Sequence, residues 1–480
     1  MFKHPERWVK WFLIALVVKG LFFAFMLNTR YFYEVEGFLG ASNGDLYSYL
    51  NPIEDLLNHR GYTSNDRLPG YGTPYLVLRL VFSKPMACNV LIFMQLLLAS
   101  VSVYFVAQVS RRWFKSDLAF YVTFYSYLFS SLSSVFDHYI LTESFSASSF
   151  IFWLYFLTQF EQTHKKRYLL ISGAFMTWLI FLKPAHGLML SLPLLIWGIG
   201  FLQKKLLLKQ LVQNALFFLL PFMVVESAWT IRNYRHYHQF VPVAKVMLYP
   251  ESFWPTNYFS IRNFMQAWGG DVCFWFANSD IRWMMGFGND VFLPPVRWYK
   301  AEKLQVPPAS IYTSQFNGDS LLAIRNGMLS ALYDTLTPAQ KAQKEQLIQK
   351  KLEIYTASIR TEKPFVYYLK APLTSTYNFL TGKFGYQFLD DILPQEWPRF
   401  GLKLYHILLL IIGGIGLLML LFSEFQHPSM RSLVWLGAIY PIILFNFVLR
   451  HGETRYLVPV WSCWALAVGY LATKVRERLG

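Results

Sequence analysis

The sequence predicts an all-α polytopic membrane protein with about ten transmembrane helices, and three observations carry that prediction. Of the 480 residues, 54% are hydrophobic and only 15% are charged. Several apolar runs reach about 20 residues, the length an α-helix needs to cross a bilayer. Lysine and arginine clusters recur between alternate runs, as the positive-inside rule requires of short cytoplasmic loops. The net charge of +16 is then read as topology and contact with anionic headgroups, not as nucleic-acid binding.

In chain order the predicted spans are Trp8–Leu27, Met86–Val109, Leu118–Val135, Tyr139–Phe160, Tyr168–Leu182, Gly187–Leu202, Leu206–Trp229, Leu402–Phe422, Leu433–Leu449 and Tyr456–Ala472. The first follows a basic N-terminus, but no small-residue cleavage site follows Leu27, so it reads as a retained anchor. One set of short loops carries Lys3, Arg7 and Lys10; Arg111, Arg112 and Lys115; Lys165, Lys166 and Arg167; Lys204, Lys205 and Lys209; Arg431; and Lys474, Arg476 and Arg478. The opposite turns hold only Lys183, Arg450 and Arg455. Both termini are therefore expected in the cytoplasm. Cys88, Cys273 and Cys463 lie far apart and form neither a disulfide framework nor zinc-ligand spacing.

Two long segments are expected to face outward. The first loop, 28–85, is expected to carry amphipathic helices. The second, 230–401, is long enough for a small, mixed but mainly helical periplasmic domain. It contains a polar, helix-like stretch, Pro338–Arg360, and tryptophans at 254, 268, 275, 283 and 298. The expected organisation is an N-terminal transmembrane module over 1–229, the outer domain over 230–401 and a C-terminal transmembrane module over 402–480.

The unusual polar residues gather at the outer mouth. Asp45 and Arg67 lie in the first loop. Asp137, His138 and Glu143 lie at the turn between the third and fourth spans, and Lys183 and His186 at the next outer turn. Arg232 follows the seventh span, and Arg450, His451, Glu453 and Arg455 form the last outer turn. Ionisable groups at membrane depth are costly and tend to mark substrate pathways. Simpler roles stand beside that one. Asp45 precedes an apolar-periodic run and reads equally as a helix cap. Arg67 reads as a headgroup contact, Glu143 as a first-turn acid and Lys183-Pro184 as an interfacial stop. The histidines read as hydrogen-bonded structural residues. Lys19, near the middle of the first span, must snorkel or pair with another helix. Neither a His-x-x-x-His metal motif nor a phosphate-binding Gly-x-x-x-x-Gly-Lys loop is present.

Five stretches carry a family resemblance. They are Gly44-Asp45 with Tyr49, Leu56-Leu57 and Gly61-Tyr62; Arg67-Leu68-Pro69-Gly70-Tyr71; Leu141-Thr142-Glu143-Ser144; Phe181-Leu182-Lys183-Pro184; and Trp229-Thr230-Ile231-Arg232-Asn233-Tyr234 running into Phe240-Val241-Pro242. The late Glu453-x-Arg455-Tyr456-x-x-Pro459 fits the same pattern. In this order, the chain resembles the GT-C superfamily of membrane glycosyltransferases, closest to the protein O-mannosyltransferase and lipid A aminoarabinose transferase group. The likeness covers the first seven spans; 250–401 shows none.

The resemblance implies an inverting transferase using a polyprenyl-phosphate-linked sugar donor, at the outer face of a bacterial inner membrane. The acceptor would be a hydroxyl on a glycan, lipid or protein, with membrane lipid as the other partner. It implies Asp45 as general base and Arg67, Lys183, Arg232 and Arg455 as donor phosphate ligands. Tyr49, Tyr71, His138, Glu143 and Glu453 would orient groups or bind sugar. The family's first-loop acid often has a second acidic neighbour. Here Gly44 and Leu46 flank Asp45, which favours metal-free chemistry without a cofactor and leaves a divalent metal open. Two rivals remain: a lipid-linked glycan polymerase or ligase, and a transporter or flippase for an anionic lipid. A transporter should show repeated halves and helices broken near the bilayer middle.

Overall fold

The computed structural model describes residues 5–29, 35–41, 45–62, 67–243, 257–272, 280–284, 306–382, 396–425 and 428–479. Gly44, Cys273, Trp254, Trp275 and Trp298 lie outside them. The chain divides into two compact units. One comprises Met1–Met247, Gly385–Pro441 and Thr454–Gly480; the other comprises Leu248–Phe384 and Ile442–Glu453.

Among the described residues the first unit is helical apart from a two-residue antiparallel pair, β1 (Val35–Glu36) and β2 (Gly40–Ala41). Its helices are α1 (Pro5–Thr29), α2 (Leu46–Leu57), α3 (Gly72–Arg79), α4 (Lys84–Phe114), α5 (Asp117–Leu128), α6 (Thr142–Thr163), α7 (Lys166–Leu182), α8 (Ser191–Leu202) and α9 (Leu208–Tyr237). Later in the chain α15 (Glu396–Glu424), α16 (Ser432–Ile442) and α17 (Trp461–Leu479) complete it. Among the described residues six helical stretches are long and apolar enough to cross a membrane: Trp8–Leu27, Lys84–Phe114, Pro184–Leu202, Leu208–Tyr237, Arg399–Glu424 and Thr454–Leu479. The chain is thus a helical protein of membrane-spanning character. The other four expected spans fall on α5, α6, α7 and the short apolar stretch Ser432–Val448, which are too short or too polar for that test.

Helix α6 is the centre of this unit. Nearly every residue from Thr142 to Phe160 is buried, on all sides of the helix, which is the mark of an element surrounded by protein. Helices α4 and α7 and the 3₁₀ segment Thr454–Val460 pack around it, while α17 packs on α15, α5 and α4. Close approach at α17 needs small residues: a Cβ on Gly469 would sit 2.2 Å from Thr123 Oγ1.

Helix α5 ends at Leu128, seven residues short of the expected third span, and a buried, serine-rich turn follows. Ser133 donates to the Tyr127 and Ser130 carbonyls, and Trp461 Nε1 donates to Ser130 Oγ at 2.7 Å. Irregular backbone is tolerated in such a setting only when its polar groups are satisfied by protein. Lys19 supplies part of that satisfaction. Its ammonium donates to Ser133 O, Ser134 Oγ and Asp137 Oδ2, each at 2.9 Å. Of the two expectations for Lys19, pairing with another element is the one realised.

In the first loop, α2 is amphipathic: Leu46, Tyr49, Leu50 and Ile53 are buried at helical spacing. Glu54 ties α2 to α3, accepting from Arg79 Nε at 2.7 Å, Arg79 Nη2 at 3.1 Å and Tyr75 Oη at 2.5 Å. The Arg79 guanidinium holds the Glu54 carboxyl below its usual range.

The second unit contains α10 (Tyr258–Trp268), α11 (Asp280–Met284), α12 (Gly318–Tyr333), α13 (Pro338–Glu362) and α14 (Ala371–Thr381). The polar stretch forms α13, opened by Thr337, whose hydroxyl accepts from Gln340 N, with Pro338 in the first turn. Ile348, Leu352, Tyr355 and Ile359 line its inner face and meet Ile261, Phe264, Phe316 and Leu321 in a shared core. Trp268 and Trp283 belong to that core.

Candidate active site

Asp45 stands at the start of α2 but makes no capping hydrogen bond to the helix. The cap role is therefore set aside, and its carboxylate turns to two guanidiniums. Asp45 Oδ1 accepts from Arg67 Nη2 at 3.2 Å, and Oδ2 accepts from Arg455 Nη1 at 2.9 Å. Arg455 Nε lies 4.0 Å from Glu143 Oε1, which also receives Lys183 Nζ at 2.8 Å. The order is Arg67, Asp45, Arg455, Glu143, Lys183: a ladder of alternating charge.

Each member is placed by its own element. Glu143 sits in the first turn of α6, where the helix dipole favours a carboxylate, and is only 2% exposed. Lys183 ends α7, and Pro184 stops that helix from continuing. Arg455 lies in the 3₁₀ segment Thr454–Val460. Both Lys183 and Arg455 approach the Tyr456 ring, at 5.0 and 5.5 Å. Arg67 is oriented by Ser48, whose hydroxyl accepts from its Nε at 3.1 Å, and by the Tyr49 ring at 4.7 Å.

Gly70 straps the Arg67 segment to the end of α7. Its amide donates to Phe181 O at 3.2 Å, and its carbonyl accepts from Trp178 Nε1 at 3.0 Å. A Cβ there would lie 2.3 Å from the Phe181 carbonyl carbon, so no other residue fits. Arg67 and Lys183 are thereby brought to the same end of α7.

Tyr49 and Tyr71 form the inner wall. Burial pushes the Tyr49 phenol up to about 12, although the Arg67 charge opposes the shift, so it remains a hydroxyl donor at neutral pH. The Tyr71 ring lies tilted against that of Tyr49, centroids 5.4 Å apart, and its hydroxyl donates to Gln95 Oε1 at 2.8 Å. Gln95 in turn donates to the Asp137 and Tyr139 carbonyls, tying this wall to the serine-rich turn. Tyr71 is thus a supporting residue of the wall.

Three expected site residues stand apart from the ladder. Arg232 sits in a cage of aromatic rings, 5.4 Å from Tyr62, 4.9 Å from Trp229 and 5.7 Å from Tyr237, and donates to the Tyr62 carbonyl. Its link to the site is indirect, because Tyr62 Oη donates to Arg67 O at 3.0 Å. His138 is buried in the serine-rich turn against the rings of Phe23 and Tyr139. Glu453 belongs to the second unit, where it pairs with His451 at 3.3 Å.

Sequence reasoning missed Ser48, Gln95 and Tyr456 as contributors. Gln95 had a visible signal, a primary amide in the middle of an apolar run. Ser48 had none beyond its place one turn after Asp45.

The ladder holds three cations and two carboxylates, a surplus of one positive charge. Its members are only partly exposed, 26% for Arg67 and 17% for Asp45 at the wettest end of the Asp45 pairs. A unit pair 4 Å apart is worth about 4 kcal/mol near a protein surface, against about 1 kcal/mol in water. The surplus charge therefore suits one anionic group. Among the described residues no group of three or more His, Cys, Asp or Glu side chains is arranged to hold a metal ion. No protein-family model matches the sequence, and no curated protein matches it.

Proposed function

We propose that this chain is a membrane glycosyltransferase that moves a sugar from a polyprenyl-phosphate donor to a hydroxyl acceptor, with inversion. In this reading it crosses the membrane about ten times, keeps both termini in the cytoplasm and works at the outer face of a bacterial inner membrane. The observation that carries the reading is the ladder. Segments far apart in sequence converge to place one carboxylate between two guanidiniums, with a surplus of a single positive charge.

Asp45 is the base. The acceptor oxygen bonds to the anomeric carbon as the bond from that carbon to the phosphate oxygen breaks. The electron pair leaves with the lipid phosphate, and the hydroxyl proton passes to Asp45. One displacement inverts the carbon. The departing phosphate gains charge, and fixed cations in a partly dry site stabilise it best. Arg67, Arg455 and Lys183 serve that role, the arginines by their forked donors. Glu143 holds Lys183 and Arg455 in place. A surplus of one charge fits a phosphodiester, which carries one negative charge, better than the pyrophosphate of a lipid-linked polymer donor.

The interrupted helices at 129–141 and 183–190 also favour a second reading, a carrier for the same lipid. Sealed proteoliposomes with a radiolabelled polyprenyl-phosphate hexose separate the two. Transfer releases polyprenyl phosphate; carriage moves intact donor across the bilayer. No release of polyprenyl phosphate with any acceptor extract defeats the transferase reading.

A further inference from the structure

The turn between α4 and α5 carries a group of cations that the ladder does not use. Arg111 and Arg112 close the last turn of α4, a helix long and apolar enough to span a membrane. Lys115 follows in the left-handed position where glycine is common. Ser116 then opens α5, its hydroxyl accepting from Ala119 N at 3.3 Å. These residues, with Gln108 and Asp117, line a cleft with about 500 Å³ open to water. That space lies within the roughly 300–1,000 Å³ typical of small-molecule sites.

The charge of the lining is uneven. Arg111, Arg112 and Lys115 stand against Asp117 alone, so the protein leaves a surplus of positive charge there. Asp117 Oδ1 lies 2.6 Å from Arg111 Nε, but both side chains are exposed, and such a pair is weak in water. It does not withhold Arg111 from another anion. Arg112 is braced from α6, its Cζ 5.1 Å from the centre of the Tyr155 ring. A ring steadies a guanidinium without cancelling its charge. Arg112 Nη1 has no acceptor, and neither Arg112 nor Lys115 makes an ion pair among the described residues.

The same turn borders a second space of opposite character. Leu118, the residue after Asp117, lines an apolar groove of about 630 Å³ between α5, α15 and α17, with Ile412, Leu471 and Val475. The one charged residue in that lining is Arg476. Guanidinium forks suit phosphate oxygens, and basic residues at the end of a membrane-spanning helix attract anionic lipid. An acyl chain suits the groove. A soluble phosphate would use the cleft and leave the groove empty, whereas a lipid uses both.

We propose that the α4–α5 turn binds one anionic phospholipid, with its phosphate among Arg111, Arg112 and Lys115 and an acyl chain in the groove beside α17. This is a discrete site, not a general attraction of basic loops to the membrane surface. It goes beyond the transferase reading and does not rest on it. What it requires is the membrane-spanning character of α4.

The test is native mass spectrometry of the full chain in a neutral detergent, titrated with dioleoylphosphatidylglycerol or dioleoylphosphatidylcholine. The first phosphatidylglycerol is expected to bind about tenfold tighter, or more, than the first phosphatidylcholine. An Arg112→Gln, Lys115→Gln double variant should remove that preference. Lys204→Gln with Lys205→Gln takes the same charge from another loop and should leave the preference intact. Equal losses from the two pairs would show diffuse attraction to charge and overturn the site. Arg112 packs on Tyr155, so exposed Lys115→Glu alone covers the case in which the double variant unfolds; it too should weaken the first phosphatidylglycerol by about tenfold. Millimolar inorganic phosphate should leave the lipid bound, and its displacement would assign the cleft to a soluble anion instead. The proposal is also overturned if the two lipids bind alike, or if Lys115→Glu binds phosphatidylglycerol as the wild type does.

Discussion

Replacing Lys19 with methionine is the sharpest perturbation the fold offers. Lys19 is 1% exposed and Asp137 is 2% exposed, so neither charge has water to fall back on. All three ammonium protons are used, on Ser133 O, Ser134 Oγ and Asp137 Oδ2. Methionine keeps the volume of the stem and removes every one of these bonds. Asp137 Oδ1 then still accepts from Ser144 Oγ at 2.7 Å, while its Oδ2 has lost the ammonium. Removing one partner of a buried pair costs about 3–5 kcal/mol, because the other charge is left uncompensated. At 1.4 kcal/mol per decade that is a fall of about 100- to 4,000-fold in the folding equilibrium. Adding Asp137→Asn removes the stranded charge and keeps the Ser144 bond, and should restore stability to within about 1–2 kcal/mol of the wild type. The assay is unfolding in mixed micelles with rising SDS, followed by tryptophan fluorescence. The reasoning is refuted if Lys19→Met alone stays within about 1 kcal/mol of the wild type, or if the double variant is no better than the single one.

Other outcomes follow from the site. Asp45→Asn should lower sugar transfer by about 10²–10⁴-fold with expression and folding unchanged, measured as polyprenyl phosphate released; retained turnover sinks the base assignment. Arg67→Lys keeps the charge but loses the forked contact with Ser48 and Asp45, and should weaken donor binding in a direct lipid-pulldown titration; unchanged affinity counts against a phosphate role. Gly70→Ala should separate the Arg67 segment from α7, seen as faster hydrogen exchange across 67–74, and equal exchange rates would show that the close contact is relieved cheaply. The Glu54–Arg79 pair gives a pH dependence. Because the folded Glu54 carboxyl lies below its usual range, the stability it adds is present above the ordinary glutamate pKa and is lost as pH falls through the folded value. Glu54→Gln should therefore flatten the acid limb of the stability profile, and an unaltered limb would remove the pair from the account.

Much of this arrangement is legible in the chain, and the limits have physical causes. Asp45, Arg67, Glu143, Lys183 and Arg455 stand out because charges beside long apolar runs are few, and the topology expected from the sequence places them on one side. The side chain of Arg232 is beyond such reasoning. It lies on the same expected side, but Tyr62, Trp229 and Tyr237 capture its guanidinium, and no periodicity reports which neighbours a flexible cation will choose. Apolar residues continue through Phe129, Leu132 and Val135, so hydropathy carries the third span to Val135. Hydropathy scores the serines among them as only mildly polar and is silent on their bonding, yet Ser133 donates to the Tyr127 and Ser130 carbonyls where α5 ends. The same turn explains Lys19: its partners, Ser133 O and Ser134 Oγ, are available only because the chain there is not a regular helix.

The shortness of α5 also sets an order of assembly during synthesis. Its 12 residues rise about 18 Å, against roughly 30 Å of hydrocarbon. It cannot settle across a membrane by itself, and the polar turn after it has no partner in lipid. Lys19 is made 114 residues before Ser133. Trp461, which closes over Ser130, is made 331 residues later. Arg455 arrives in the same late stretch. The nascent chain therefore carries an unfinished polar turn until its last stretch is made, and a product truncated before that stretch lacks both the Trp461 bond to Ser130 and the Arg455 bond to Asp45.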